Sequence, residues 1–135
     1  MIVTDANVIM ALCVPGPNTN AVEDLKRADP DWIAPDLWRA EVLNALCTQV
    51  RTARMSLTEA ASAFGIAERA VRTYSAALDA GELLRSAAQT GCSGYDTHYI
   101  LLAENLDVKL ITYDQQVLNK CSARAMTPDQ FLAAA

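Results

Sequence analysis

Two stretches of this chain repeat one design, and that design restricts the fold more than anything else in the sequence. "VTDANV" at 3–8 and "ITYDQQV" at 111–117 each leave an apolar, β-branched run through a threonine, reach an aspartate within two residues and pass directly into a helix start. Strands that are apolar on both faces belong in a parallel sheet covered by helices on both sides. The echo therefore predicts an α/β fold with Asp5 and Asp114 at the same edge of the sheet. In open parallel sheets that carboxyl edge is where ligands bind, near the point at which the strand order reverses.

The rest of the chain fits this frame. Strands are predicted at 1–4, 32–35 ("WIAP"), 73–76 ("TYSA"), 108–112 ("VKLIT") and 124–126, with helices at 36–53, 56–72, 82–89, 94–106, 115–120 and 128–134. Ser56 with Glu59 and Ser93 with Asp96 have capping-box spacing, and Thr127 followed by Pro128 reads as a helix cap and first turn. Residues 13–31, with Pro15, Gly16, Pro17 and Asn18, read as a surface loop. At 135 residues, 52% of them hydrophobic, the chain suits one domain over 1–135.

Composition removes several function classes. Cys13, Cys47, Cys92 and Cys121 are scattered, without the spacing of a zinc site or a disulfide framework. No basic leader or membrane-length apolar run is present, so a cytoplasmic location is expected. A net charge of -5 argues against broad electrostatic binding of nucleic acid. Any polyanion has to be held locally, by metal ions or a few arginines.

Two further acids join the strand-end pair. On helix 94–106 the positions Asp96, Tyr99, Ile100, Ala103 and Leu106 share one face, so Asp96 points inward at the helix start. Glu41 flanks the apolar arc of Trp38, Val42, Ala45, Leu46 and Val50. Each acid alone has a plain structural explanation: Asp5 and Asp114 as helix caps, Asp96 as half of a capping box, Glu41 as a half-exposed helix residue. Together they repel by roughly 3 kcal/mol per pair at about 5 Å and an effective dielectric near 20. A fold that gathers them needs a cation, and an all-oxygen donor set suits Mg²⁺ or Mn²⁺.

Asn7, Ser93 and Thr112 lie within three residues of an acid and are candidates to orient a carboxylate or a metal-bound water, though Ser93 is also a natural cap and Thr112 a natural strand residue. His98 is the lone histidine. Set two residues beyond Asp96, it is expected on nearly the opposite face. Its solitude excludes a two-histidine acid–base ribonuclease, and "GCSGYD" lacks the G-x-S-x-G elbow of serine hydrolases. Phosphoryl transfer through an aspartyl intermediate is disfavoured because "DANVI" is not D-x-D and no lysine follows the late strand.

The stretches "IVTDANV" (2–8), "APDLWRAEVLNAL" (34–46), "SGYDTHYILLAENLDVKLITYD" (93–114) and "MTPDQFL" (126–132) together resemble PIN-domain ribonucleases, in particular VapC-type toxins of bacterial toxin-antitoxin modules. The resemblance implies a PIN-like three-layer α/β/α fold with a central parallel sheet of about five short strands. It assigns Asp5, Glu41, Asp96 and Asp114 as catalytic metal ligands and implies Mg²⁺-dependent hydrolysis of RNA phosphodiester bonds. It also implies a cognate antitoxin that silences the toxin. Arg39 is the leading candidate for holding substrate, ahead of Arg51 and Arg54. Apolar positions Leu57, Ala60, Ala61, Phe64, Val71 and Tyr74 serve either core packing or a face for an antitoxin helix or a homodimer. The alternatives are a solitary RNA-processing nuclease and a non-catalytic PIN scaffold used for binding.

Overall fold

Ile2, Val3 and Thr4 form strand β1 (Ile2–Thr4), and all three are fully buried. The computed structural model describes residues 1–135. After β1 the chain runs through α1 (Ala6–Cys13), α2 (Thr19–Ala28), β2 (Trp32–Pro35), α3 (Leu37–Arg51), α4 (Leu57–Ala70) and β3 (Val71–Tyr74). It continues through α5 (Ala80–Thr90), α6 (Gly94–Leu106), β4 (Leu110–Ile111), α7 (Gln115–Lys120), β5 (Ala125–Met126) and α8 (Pro128–Ala134).

The five strands pair in the order β3-β2-β1-β4-β5, all parallel. From β1 the chain adds β2 and β3 on one side, then returns to place β4 on the other, so the switch point lies between β1 and β4. Their register pairs Val3 with Leu110 and Thr4 with Ile111, which sets Asp5 level with Thr112. On one face α1 packs against α2, α3 and α4, and α2 against α8; α6 lies across β1, β2 and β4, with α5 against it. α7 joins α5 and α6 where Gln116 Nε2 donates to the Gly91 carbonyl at 3.0 Å. The core between these layers is built on Trp32, Trp38, Ile9, Ile100 and Leu102, all essentially inaccessible. Burial of a large apolar side chain contributes roughly 1.5–3 kcal/mol, so this layer supplies the rigidity on which the strand ends depend.

Most predicted elements match, and the departures have physical reasons. The stretch read as loop at 13–31 contains α2, a polar helix whose only buried side chains are Val22 and Leu25. The proline and glycine signal is confined to its approach. The strand expected at 73–76 begins two residues earlier, because Val71 turns into the core directly from the end of α4 with no intervening loop. Of the apolar surplus in 56–76, Val71 thus belongs to the core and Tyr74 is half-buried. Leu57, Ala60, Ala61 and Phe64 instead line an open groove of about 590 Å³ between α3 and α4, facing Leu43 and Leu46.

Candidate active site

Asp5 leaves β1 as the N-cap of α1, and its Oδ1 accepts a hydrogen bond from the Val8 N–H at 3.0 Å. Its other oxygen, Oδ2, accepts from the hydroxyl of Thr112. That hydroxyl in turn accepts from the Asp114 N–H at 3.0 Å. Asp114 caps α7, with Oδ1 accepting from the Val117 N–H at 3.0 Å. The predicted capping roles of both aspartates are therefore real, and they fix each carboxylate while leaving acceptor capacity free. Thr112, fully buried, ties the two strand ends together across the switch point.

Asp96 and Glu41 arrive on helices. Ser93 caps α6 by accepting from the Asp96 N–H at 3.1 Å, but the reciprocal half of the predicted capping box is absent. At Ser56 and Glu59 both halves form. The Asp96 carboxylate is thus not used by its own helix end. Glu41 Oε1 accepts from the Tyr99 hydroxyl at 2.7 Å, joining α3 to α6. Tyr99 is only 3% exposed. Sequence reasoning put it on the Asp96 face and missed its contact with the site; the signal was that a buried tyrosine hydroxyl requires a partner.

The electrostatics show that these acids feel one another. Burial raises the Asp5 carboxyl to about 6, with smaller increases from Asp96 and Asp114, against the lowering effect of its bonds from Thr112 and Val8. Burial also raises Glu41 and Asp96; Asp96 pushes Glu41 up and Asp114 pushes Asp96 up. Tyr99 is held well above the ordinary phenol range by burial, then by its bond to Glu41 and the charges of Glu41, Asp5 and Asp96. The four acids thus form one connected group at the carboxyl edge of the sheet.

No lysine or arginine forms an ion pair with them. The ion pairs of the protein use Asp24, Asp29, Asp31, Glu68 and Asp107. Arg39 is paired with Glu68 at 2.8 Å and lies over the rings of Trp38 and Phe64, so the structure commits it to the α3–α4 contact. Arg51 stands ten residues beyond Glu41 on α3, about 15 Å along the axis, and Arg54 lies beyond the helix end. His98 is half-buried, with Nδ1 at 2.6 Å from the Gly94 carbonyl, and near enough to Glu41 to lower its pKa. It therefore lies on the Glu41 flank instead of turning fully away. Asn7 is exposed in the first turn of α1, and its side chain is not a partner of any of the four acids.

An all-carboxylate donor set, with Asp5, Glu41 and Asp96 raised by burial and by neighbouring charge, is the chemistry a hard divalent ion takes up. No three of the acids converge closely enough to enclose one ion. Such an open arrangement suits an ion that keeps several waters and is held by one or two carboxylates, as Mg²⁺ commonly is.

The model of the PIN domain family matches residues 2–122. Among solved structures, PAE2754 from Pyrobaculum aerophilum superposes with a TM-score of 0.79 at 22% identity, covering 98% of this chain and 94% of that one. VapC20 (Rv2549c) of Mycobacterium tuberculosis, a Sarcin-Ricin loop cleaving toxin, superposes with a TM-score of 0.61 at 15% identity, covering 85% of this chain and 91% of that one. No curated protein sequence matches significantly. With the family model spanning nearly the whole chain and its overall fold shared with those structures, this protein belongs to the PIN domain family.

Proposed function

We propose that this chain is a divalent-metal-dependent endoribonuclease and the toxin of a type II toxin-antitoxin pair, acting in the cytoplasm as one PIN domain over 1–135. The observation that carries the reading is the gathering of Asp5, Glu41, Asp96 and Asp114 without an ion pair to any lysine or arginine. These are the proposed ligands of Mg²⁺ or Mn²⁺ and the catalytic residues. Bound there, a divalent ion supplies charge neutralisation at the phosphate and a water acidic enough for in-line attack. The protein's own part is positioning: Thr112 holds Asp5, Tyr99 holds Glu41, and Ser93 sets the first turn of α6 beneath Asp96. No side-chain general base is required, in keeping with a single histidine bonded to its own helix.

Membership of the PIN family and the likeness to VapC20 support RNA as substrate and an antitoxin as partner. The apolar α3–α4 groove suits an antitoxin helix, and the adjoining outer face of α4, with Leu57 and Ile66 exposed, suits a homodimer. Purified, partner-free protein incubated with a panel of RNAs is expected to cleave with Mg²⁺ or Mn²⁺, to stop in EDTA, and to lose activity in Asp96→Asn. Cleavage that survives both EDTA and that substitution would sink the metal reading. A small reading frame with a basic tail directly upstream supports the toxin role; its absence favours a solitary RNA-processing enzyme.

A further inference from the structure

The elements that carry the four acids are joined by side-chain hydrogen bonds at the carboxyl edge of the sheet. Tyr99 joins α6 to α3 at Glu41, and Thr112 joins β4 to β1 at Asp5. The side between Asp96 and Asp114 has no such direct bond, although the charge of Asp114 is felt at Asp96. Asp96 lies in the first turn of α6 and Asp114 caps α7. The only hydrogen bond between α7 and residues 80–106 is the one from Gln116 Nε2 to the Gly91 carbonyl, at 3.0 Å. It lands on a turn with little slack. Gly91 closes α5 at φ 73°, a conformation glycine adopts without strain, Cys92 is buried, and Ser93 caps α6 by accepting from the Asp96 N–H at 3.1 Å. At its other end Gln116 directly precedes Val117, whose N–H is held by Asp114 Oδ1 at 3.0 Å. The path from Asp114 to Asp96 therefore runs through Gln116, Gly91 and Ser93.

Gln116 is exposed and takes no part in the core, and a single solvent-accessible bond between neutral groups adds little to global stability. Its effect lies in where it acts. No three of the acids converge closely enough to enclose an ion, so an ion held by one or two of them depends on how far apart the open pair stands. A metal constellation loses function when a supporting contact leaves it about 1 Å loose, and groups one step behind the ligands are what hold them in place. We propose that Gln116 is a positioning residue: its bond to the Gly91 carbonyl sets the span between Asp96 and Asp114, and through that span the affinity of the site for a divalent cation. The inference rests on the metal reading above.

The test is Mn²⁺ binding to purified, partner-free protein, read from the loss of the free-ion electron paramagnetic resonance signal, for wild type, Gln116→Met, Gln115→Met and Asp96→Asn. Methionine keeps the length and helix propensity of glutamine and cannot donate a hydrogen bond. Gln115 is exposed in the same helical turn and makes no bond to Gly91, so it controls for the loss of an amide from this surface. Gln116→Met is expected to raise the Mn²⁺ Kd about tenfold, and Gln115→Met to leave it within about twofold. In RNA cleavage the Mn²⁺ midpoint of Gln116→Met rises by the same factor, while kcat at saturating ion and KM for RNA stay within about twofold of wild type. In EDTA the two glutamine variants melt together with wild type. A lower melting temperature for Gln116→Met that accounts for the lost affinity makes the bond a stabiliser of the fold and overturns the positioning role. Equal Mn²⁺ affinity in wild type and Gln116→Met, or an equal loss in Gln115→Met, also overturns it and leaves the metal reading standing. A wild type that binds no Mn²⁺, or binds it no better than Asp96→Asn, overturns the metal reading and the role of Gln116 with it.

Discussion

Replacing Asp5 with asparagine is expected to stabilise the metal-free protein while abolishing cleavage. The magnitude follows from the carboxyl's environment. A rise from 3.8 to about 6 on folding means that the ionised form is disfavoured in the native state by about 3 kcal/mol. Asparagine removes that charge and keeps an acceptor for the Val8 N–H, but it disturbs the bond from Thr112, a loss of about 1 kcal/mol. The net gain is about 2 kcal/mol. For a chain of 135 residues the unfolding entropy is about 0.28 kcal/mol/K, so the variant melts about 7 °C higher. The pH dependence follows from the raised pKa. Below 3.8 the carboxyl is protonated in both folded and unfolded chains and the charge-related gain vanishes. It grows as pH rises through the interval up to about 6 and is complete above pH 7. Thermal unfolding followed by circular dichroism in EDTA, at pH values on both sides of this interval, measures the gap. A difference that is absent, or that does not change with pH, refutes the claim that Asp5 is a destabilised carboxylate.

Other expectations can be checked alongside. Saturating Mg²⁺ or Mn²⁺ should stabilise wild type, by about 2.7 kcal/mol when the ion stands at a hundred times its Kd, so that its melting temperature rises in differential scanning fluorimetry while those of Asp5→Asn and Asp96→Asn stay nearly unchanged. Tyr99→Phe should cost about 1 kcal/mol of stability through the lost bond to Glu41 and weaken Mn²⁺ binding in calorimetric titration; unchanged affinity would show that Glu41 needs no such support. Arg39→Ala should cost about 1 kcal/mol in urea unfolding, from the Glu68 pair and the Trp38 and Phe64 ring contacts, with KM for RNA within twofold. A large rise in KM would instead return Arg39 to the substrate path.

The legible part of the site was the part fixed by local chain geometry. A strand that ends in threonine and aspartate and then turns into a helix leaves its carboxylate little choice of direction, so Asp5 and Asp114 could be placed from short stretches of sequence. Helical periodicity likewise aimed Asp96 inward. What could not be read depends on how distant elements dock. The Tyr99–Glu41 bond exists only because α6 crosses β2 beside α3, residues 58 apart in sequence. Arg39 looked free on its own helix, and only the approach of α4 supplies Glu68. The α2 helix escaped notice because two buried side chains in ten residues barely register as a stripe. Glu41 lies between these cases, on a recognisable arc but with its partner hidden.

Three of the four acids sit at helix starts: Asp5 as the cap of α1, Asp114 as the cap of α7, and Asp96 in the first turn of α6. Each of those termini carries roughly half a positive charge from its aligned peptide dipoles. Together they offset a good part of the negative charge before any ion arrives. The fold itself thus carries part of the counter-charge that the proposed ion would otherwise have to supply, so the chain's folding need not wait on that ion.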